Sequence, residues 1–199
     1  MPATGERLGV FGGTFDPPHI GHLVAAVNAW FVLSLDRVLL TVSNIPWQKA
    51  GDRPITPAGH RLDMVRAAVA GHPGLEASDL EVRRGGESST VETLEALAAE
   101  DRSRRLFVIV GSDAAAGLRS WRRWPAVADL ATVVVVERAG DATAAADWPG
   151  PLQRIVIPRL DVSSSDLRRR VAAGEPVDYL VPGEAAVLLR ERLLYRGGT

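Results

Sequence analysis

Two unbroken runs rich in β-branched residues constrain the fold most: LFVIV at Leu106–Val110 and TVVVV at Thr132–Val136. A strand without polar alternation is buried on both faces, which is the pattern of a parallel sheet covered by helices on either side. Arg7–Phe11, Arg37–Val42 and Gln153–Ile157 read as further strands, and Leu75–Val82 as a weaker, alternating one. Helical stripes lie between them. One runs over Ile20–Leu33. A second starts at Thr56 as N-cap, with Pro57 in the first turn, and ends at Gly71. A third is capped by Ser89 or Thr90 and carries Val91, Leu94 and Leu97. Ser163–Ala173 and Gly183–Leu194 close the chain as helices. Strands alternating with helices predict an α/β fold: a doubly wound, mainly parallel, Rossmann-like sheet with right-handed crossovers. Its ligand is expected beyond the carboxyl ends of the strands, where the strand order reverses.

Composition narrows the function classes. The chain has 199 residues, 46% of them apolar and 24% charged, as in a globular domain with a sizeable core. Its formal net charge of −1 gives no general attraction to nucleic acid or to an acidic membrane, and the short basic runs Arg102–Arg105 and Arg119–Arg123 read as solvated surface. With no cysteine, disulfides, thiolate zinc sites and a cysteine nucleophile are excluded. No apolar stretch resembles a secretion signal or a membrane span, so a cytoplasmic protein is expected. The stretch Ala139–Pro151 is expected to be a mobile insertion.

The chemistry concentrates at GVFGGTFDPPHIGHL, Gly9–Leu23. Gly12 and Gly13 follow the first strand, where glycine lets the backbone turn tightly and a ligand approach it closely. Free N–H groups there and at the next helix start suit phosphate oxygens. His19 and His22 stand three residues apart, on one side of a helix, with Gly21 between them leaving room for a substrate. Two imidazoles beside a phosphate chain can donate to oxygens that gain charge in phosphoryl or nucleotidyl transfer. The plainer alternative is a helix cap with two surface histidines. Zinc is disfavoured, because no third ligand is visible. Neither a dinucleotide-binding fingerprint nor a Walker A loop is present.

GGTFDPPHIGH, with its literal His19-Ile20-Gly21-His22, resembles the signature of nucleotidyltransferases that share the fold of class I aminoacyl-tRNA synthetases. Within that superfamily the chain looks most like the bacterial nicotinate-mononucleotide adenylyltransferases. The resemblance implies a single nucleotidyltransferase domain over residues 1–199, its C-terminal helical part from about 163 carrying a second phosphate motif. It implies transfer of the adenylyl group of ATP to nicotinate mononucleotide, giving deamido-NAD and pyrophosphate, with Mg²⁺ carried by ATP and no protein metal site. Gly12, Gly13, Thr14 and Phe15 then belong to the ATP site with His19 and His22. Pro46-Trp47-Gln48-Lys49 stands where the family has Pro-Pro-His-Lys; Lys49 is kept as a catalytic and acceptor-phosphate cation, while the histidine is missing. SSTVETLEAL, Ser88–Leu97, matches the family's Thr-x-x-Thr-Leu segment and implies that Thr90 holds the pyridine carboxylate. GSDAAAGLRSW implies nucleotide contacts at Gly111 and Asp113 and ring stacking at Trp121, with Trp124 as its rival. VSSSDLRRR resembles Ile-Ser-Ser-Thr-x-Ile-Arg and implies phosphate contacts from Ser164, Ser165 and a catalytic Arg168. Asp16 is expected to brace the turn. Other acceptors (nicotinamide mononucleotide or phosphopantetheine) and a non-catalytic nucleotide-binding module remain open at this point. Oligomeric state is not legible in the sequence.

Overall fold

A computed structural model describes residues 5–46, 54–139 and 147–196. Strands β1 (Arg7–Gly13), β2 (Arg37–Val42), β3 (Leu75–Ser78), β4 (Arg105–Gly111), β5 (Ala131–Arg138) and β6 (Leu152–Ile157) form one sheet in the order β3-β2-β1-β4-β5-β6. Every pairing in it is parallel. The chain winds outward from β1 to β3 and then crosses back to β4, so the order reverses between β1 and β4. That opens a crevice at their carboxyl ends.

The unbroken apolar runs serve both faces. Phe107 and Ile109 of β4, with Val134 and Val136 of β5, pack toward α1 (Ile20–Val32) and α2 (Ala58–Val69). Leu106, Val108 and Val110, with Val133 and Val135, pack toward α4 (Thr90–Glu100) and α6 (Trp124–Leu130). Each such side chain, once fully buried, contributes roughly 1.5–3 kcal/mol. A third apolar cluster joins Met64 of α2 to Leu167 of α7 (Ser164–Ala172) and Ala185, Ala186 and Leu189 of α8 (Gly183–Glu191).

Several expected boundaries are corrected. β1 takes in both glycines of the first motif. The weak strand Leu75–Val82 stops at Ser78, because β3 is an edge strand paired only over Leu75–Ser78; the chain then turns into α3 (Leu80–Arg84). Pro57, not Thr56, occupies the N-cap position of α2. The first helix ends at Val32 and the last at Glu191. Residues 112–130, unassigned from sequence, hold α5 (Ser112–Ala115), a 3-10 turn at Leu118–Ser120 and α6. Of the expected insertion, residues 140–146 lie outside the described residues; Trp148 beyond them is buried and packs on Trp124 with ring centroids 5.8 Å apart.

Candidate active site

Two cavities open at the carboxyl ends of the strands. The larger, about 670 Å³, is lined by Phe15, Asp16, His19, Gly21, His22, Arg138, Ser163, Ser164, Ser165 and Arg168 among others. The smaller, about 440 Å³, is lined by Gly12, Ser43, Glu81, Ser88, Ser89, Thr90, Thr93, Trp121 and Arg122 among others. They share a wall made of Phe11, Gly13, Thr14, Gly111, Asp113 and Ala114. The two lobes therefore meet at the ends of β1 and β4, where the strand order reverses.

The first motif shapes the larger lobe. His19 is the N-cap of α1 and His22 its third residue; the main-chain N–H of His19 donates to His22 Nδ1 at 3.1 Å. The two imidazoles stack, centroids 3.6 Å apart. Because Nδ1 of His22 accepts, a neutral ring carries its proton on Nε2 and is a donor there. Phe15 is 2% exposed, in a left-handed conformation (φ 49°), and its ring meets His22 edge-on at 5.0 Å. It buttresses the histidine from the core side of the lobe. Gly21 has a second reason to be small: a Cβ there would come within 3.1 Å of His19 Nδ1 and 3.2 Å of Val162 Cγ1. It makes room for the neighbouring histidine as well as bordering the cavity.

The expected amide cradle at the start of α1 is partly occupied. Ile20 N–H donates to the Leu180 carbonyl at 2.9 Å, and the His19 N–H is taken by His22. Polar side chains thus carry much of this lobe's capacity for an anion. Burial, then the nearby Arg138 guanidinium, push the His19 imidazole down to about 4 from its ordinary 6.5. His19 is therefore neutral at pH 7. The unfolded chain binds more protons between those two values, so the contribution of neutral His19 to stability is complete above about 6.5 and lost as pH falls toward 4. That contribution is on the order of 3 kcal/mol. Urea denaturation of wild type and His19→Gln across this window should show the steeper pH slope in wild type; equal slopes would contradict it.

The second motif docks onto the first. Ser163 caps α7, accepting from Asp166 N–H at 3.1 Å. Ser164 Oγ donates to the Pro17 carbonyl at 2.8 Å, and Arg168 donates to the Asp16 carbonyl at 2.7 Å and to Ser165 Oγ at 3.0 Å. Five expected residues, His19, His22, Ser164, Ser165 and Arg168, thus come to one cavity from opposite ends of the chain.

The smaller lobe sits at the start of α4. Thr90, the first residue of that helix, and Trp121 both line it. Trp124 packs instead against Trp148, beneath the Arg119 guanidinium. Under the lobe, the Thr93 hydroxyl donates to buried Glu81 at 2.8 Å. Asn44 N–H donates to Ser88 Oγ at 2.8 Å, which ties the β2–α2 connection to this wall. Gly12, expected on ATP, borders this lobe alone, whereas Gly13, Thr14, Gly111 and Asp113 border both. Lys49, with Trp47 and Gln48, lies outside the described residues.

Sequence reasoning missed three groups. Arg138 brings a cation to the larger lobe from the end of β5. Arg122, read as solvated surface, lines the smaller one. Arg61 is 1% exposed and donates to the carbonyls of Thr14 and Thr56 at 2.7 Å and of Asn44 at 3.0 Å. Only the position of Arg61 on the inward face of the second helical stripe hinted at its role. Among the described residues no group of three or more His, Cys, Asp or Glu is placed to hold a metal, and no helix is long and apolar enough to cross a membrane.

Comparison with known proteins gives a consistent picture. The cytidylyltransferase-like family model matches residues 10–170, from the first motif through the second. A relative from Symbiobacterium thermophilum, named a probable nicotinate-nucleotide adenylyltransferase, is 41% identical over 201 residues, covering 96% of each chain. A relative of the same name from a Roseiflexus species is 41% identical over 202 residues, covering 95% of this chain and 98% of its own. The solved Plasmodium falciparum nicotinic acid mononucleotide adenylyltransferase, complexed with NaAD, matches with a TM-score of 0.77 over 96% of this chain and 97% of that one. At 17% identity that likeness is one of fold.

Proposed function

The chain belongs to the cytidylyltransferase-like family, and on that premise we propose that it transfers the adenylyl group of ATP to nicotinate mononucleotide, yielding deamido-NAD and pyrophosphate in NAD biosynthesis. The observation that carries this reading is the pair of lobes joined at Gly13–Thr14 and Gly111–Ala114. One is built for a polyphosphate. The other combines a helix start with an aromatic ring, which suits an anionic pyridine. Relatives about 40% identical over nearly the whole chain carry the matching name.

The reaction is a direct displacement. A phosphate oxygen of nicotinate mononucleotide attacks the α-phosphorus of ATP in line; the new P–O bond forms as the bond to pyrophosphate breaks. The attacking phosphate is already an anion, so neither a strong base nor a protein nucleophile is required. Catalysis reduces to positioning and charge stabilisation. In this reading His19, His22, Ser164, Ser165 and Arg168 hold the triphosphate and meet the charge that develops on it, with Arg138 adding a cation from β5. Thr90 and Trp121 hold the nicotinate. Lys49 is kept as a cation for the acceptor phosphate. Mg²⁺ suits a site with one available carboxylate plus substrate phosphates. Asp113 is the single carboxylate bordering both lobes among the described residues, and it fits that part. The ion, brought by ATP, would supply charge neutralisation on the phosphates.

A single domain over the whole chain is part of the same proposal, supported by the bonds from Ser164 and Arg168 to the Asp16–Pro17 turn. So is a cytoplasmic setting, where ATP is at hand. The test is pyrophosphate release with ATP and Mg²⁺ and the acid and amide mononucleotides side by side. The acid should be preferred, since a helix start favours carboxylate over carboxamide. Preference for the amide would refute the acceptor assignment, and ATP binding without turnover on either would support the non-catalytic module.

A further inference from the structure

We propose that Tyr195, beyond the last helix, is a positioning residue for this reaction: by holding the Asp16 carboxylate it fixes the turn on which both phosphate motifs rest. The inference builds on the adenylyl-transfer reading and adds a part of the chain that reading does not use. The Tyr195 hydroxyl donates to Asp16 Oδ1 at 2.7 Å, and Asp16 is 1% exposed. A carboxylate that deep needs its donors, and a bond to a charged acceptor is stronger than a neutral one. The main chain of the same turn carries the second motif, through Arg168 on the Asp16 carbonyl and Ser164 on the Pro17 carbonyl. Asp16 therefore joins the C-terminal segment on its side chain to the ATP lobe on its backbone. It also lines that lobe together with His19 and Arg168.

Three further observations point the same way. Thr56 hydrogen-bonds the phenol as well, so the contact also reaches the segment leading into α2. Burial, then the Asp16 carboxylate, push the phenol well above its ordinary pKa, and it stays a donor throughout the working range. Leu193 and Tyr195 both hold left-handed backbone, at φ 52° and 63°, a conformation bulky residues rarely adopt. Residues kept so commonly serve a constraint beyond packing.

A purely structural Tyr195 would lower the melting temperature and leave the folded site unchanged; a positioning Tyr195 alters ATP affinity well below that temperature. The test compares wild type, Tyr195→Phe, Asp16→Asn and the double variant as full chains at 25 °C. It reads affinity for a non-hydrolysable ATP analogue by calorimetry, kcat, and KM for the mononucleotide. Tyr195→Phe should weaken the analogue about tenfold and lower kcat at least as much, with KM for nicotinate mononucleotide within about twofold, because the smaller lobe is not touched. Asp16→Asn keeps an acceptor for the phenol and should lose less. The double variant should be no worse than Tyr195→Phe, since a neutral amide tolerates a missing donor better than a buried charge does. Unchanged analogue affinity in folded Tyr195→Phe, or two losses that simply add, would overturn the proposal. The analogue reports on Tyr195 without turnover, so an error in the acceptor assignment would show separately, in the wild-type assay.

Discussion

His22→Gln should keep the protein folded and cost on the order of 10²–10³ in kcat, the usual loss when one preorganised donor is removed from a charge-stabilising site. The choice of glutamine follows from geometry. His22 has two jobs: its Nδ1 accepts from the His19 N–H at the start of α1, and its ring lines the larger lobe. Glutamine at the third helical position can reach back to the N-cap N–H in the same way, so the cap survives while the imidazole is lost. His22→Ala removes both and should add a stability loss of about 0.5–2 kcal/mol to the same kinetic defect. The stack on His19 and the edge contact with Phe15 also set the ring's position, so neighbouring substitutions should act through it. Kinetics and thermal melts of the two variants, run together, separate the roles. A folded His22→Gln enzyme with near-normal turnover would remove His22 from the chemistry.

Arg61→Met should be the most destabilising single change in the site's framework. Three carbonyls, from Thr14, Asn44 and Thr56, take their hydrogen bonds from one buried guanidinium. Methionine fills much of the volume and leaves those carbonyls without that donor. The three carbonyls belong to half-buried residues, so each left unmet costs near the low end of about 1–3 kcal/mol, and a total of roughly 3 kcal/mol is expected. For a chain of this length that lowers the melting temperature by about 10 °C. Thr14 borders both lobes, so turnover should fall as well. Arg61→Lys keeps the charge but not the planar fork and should recover only part of the loss. A melting temperature within about 2 °C of wild type would contradict the stapling role.

The sheet was legible in the sequence because β4 and β5 are written in β-branched residues that suit little else. The first motif was legible as a candidate site because Gly-Gly, then His-x-x-His, falls where a strand gives way to a helix. The second was legible as a capped helix start followed by Arg168. What escaped has physical causes. α5 and α6 are four and seven residues long, too short to form on propensity alone; Leu118 and Val127, buried in the second layer, hold that region from outside. β3 could not be delimited because its end is set by pairing to β2 and not by its own pattern. Arg61 gave no more than its place on the inward face of a helical stripe, since its acceptors lie in three separate segments. Arg138 and Tyr195 are ordinary in sequence and gain meaning only from what the fold brings beside them.

In the proposed reaction, groups from the two ends of the chain act on one polyphosphate. Titrating a non-hydrolysable ATP analogue into the protein, while following the His19 and His22 ring signals and the Arg168 guanidinium signal by NMR, tests it most directly. All three should shift together and saturate at one equivalent. Imidazoles that respond while Arg168 stays unmoved, or that saturate at a different equivalence, would contradict it.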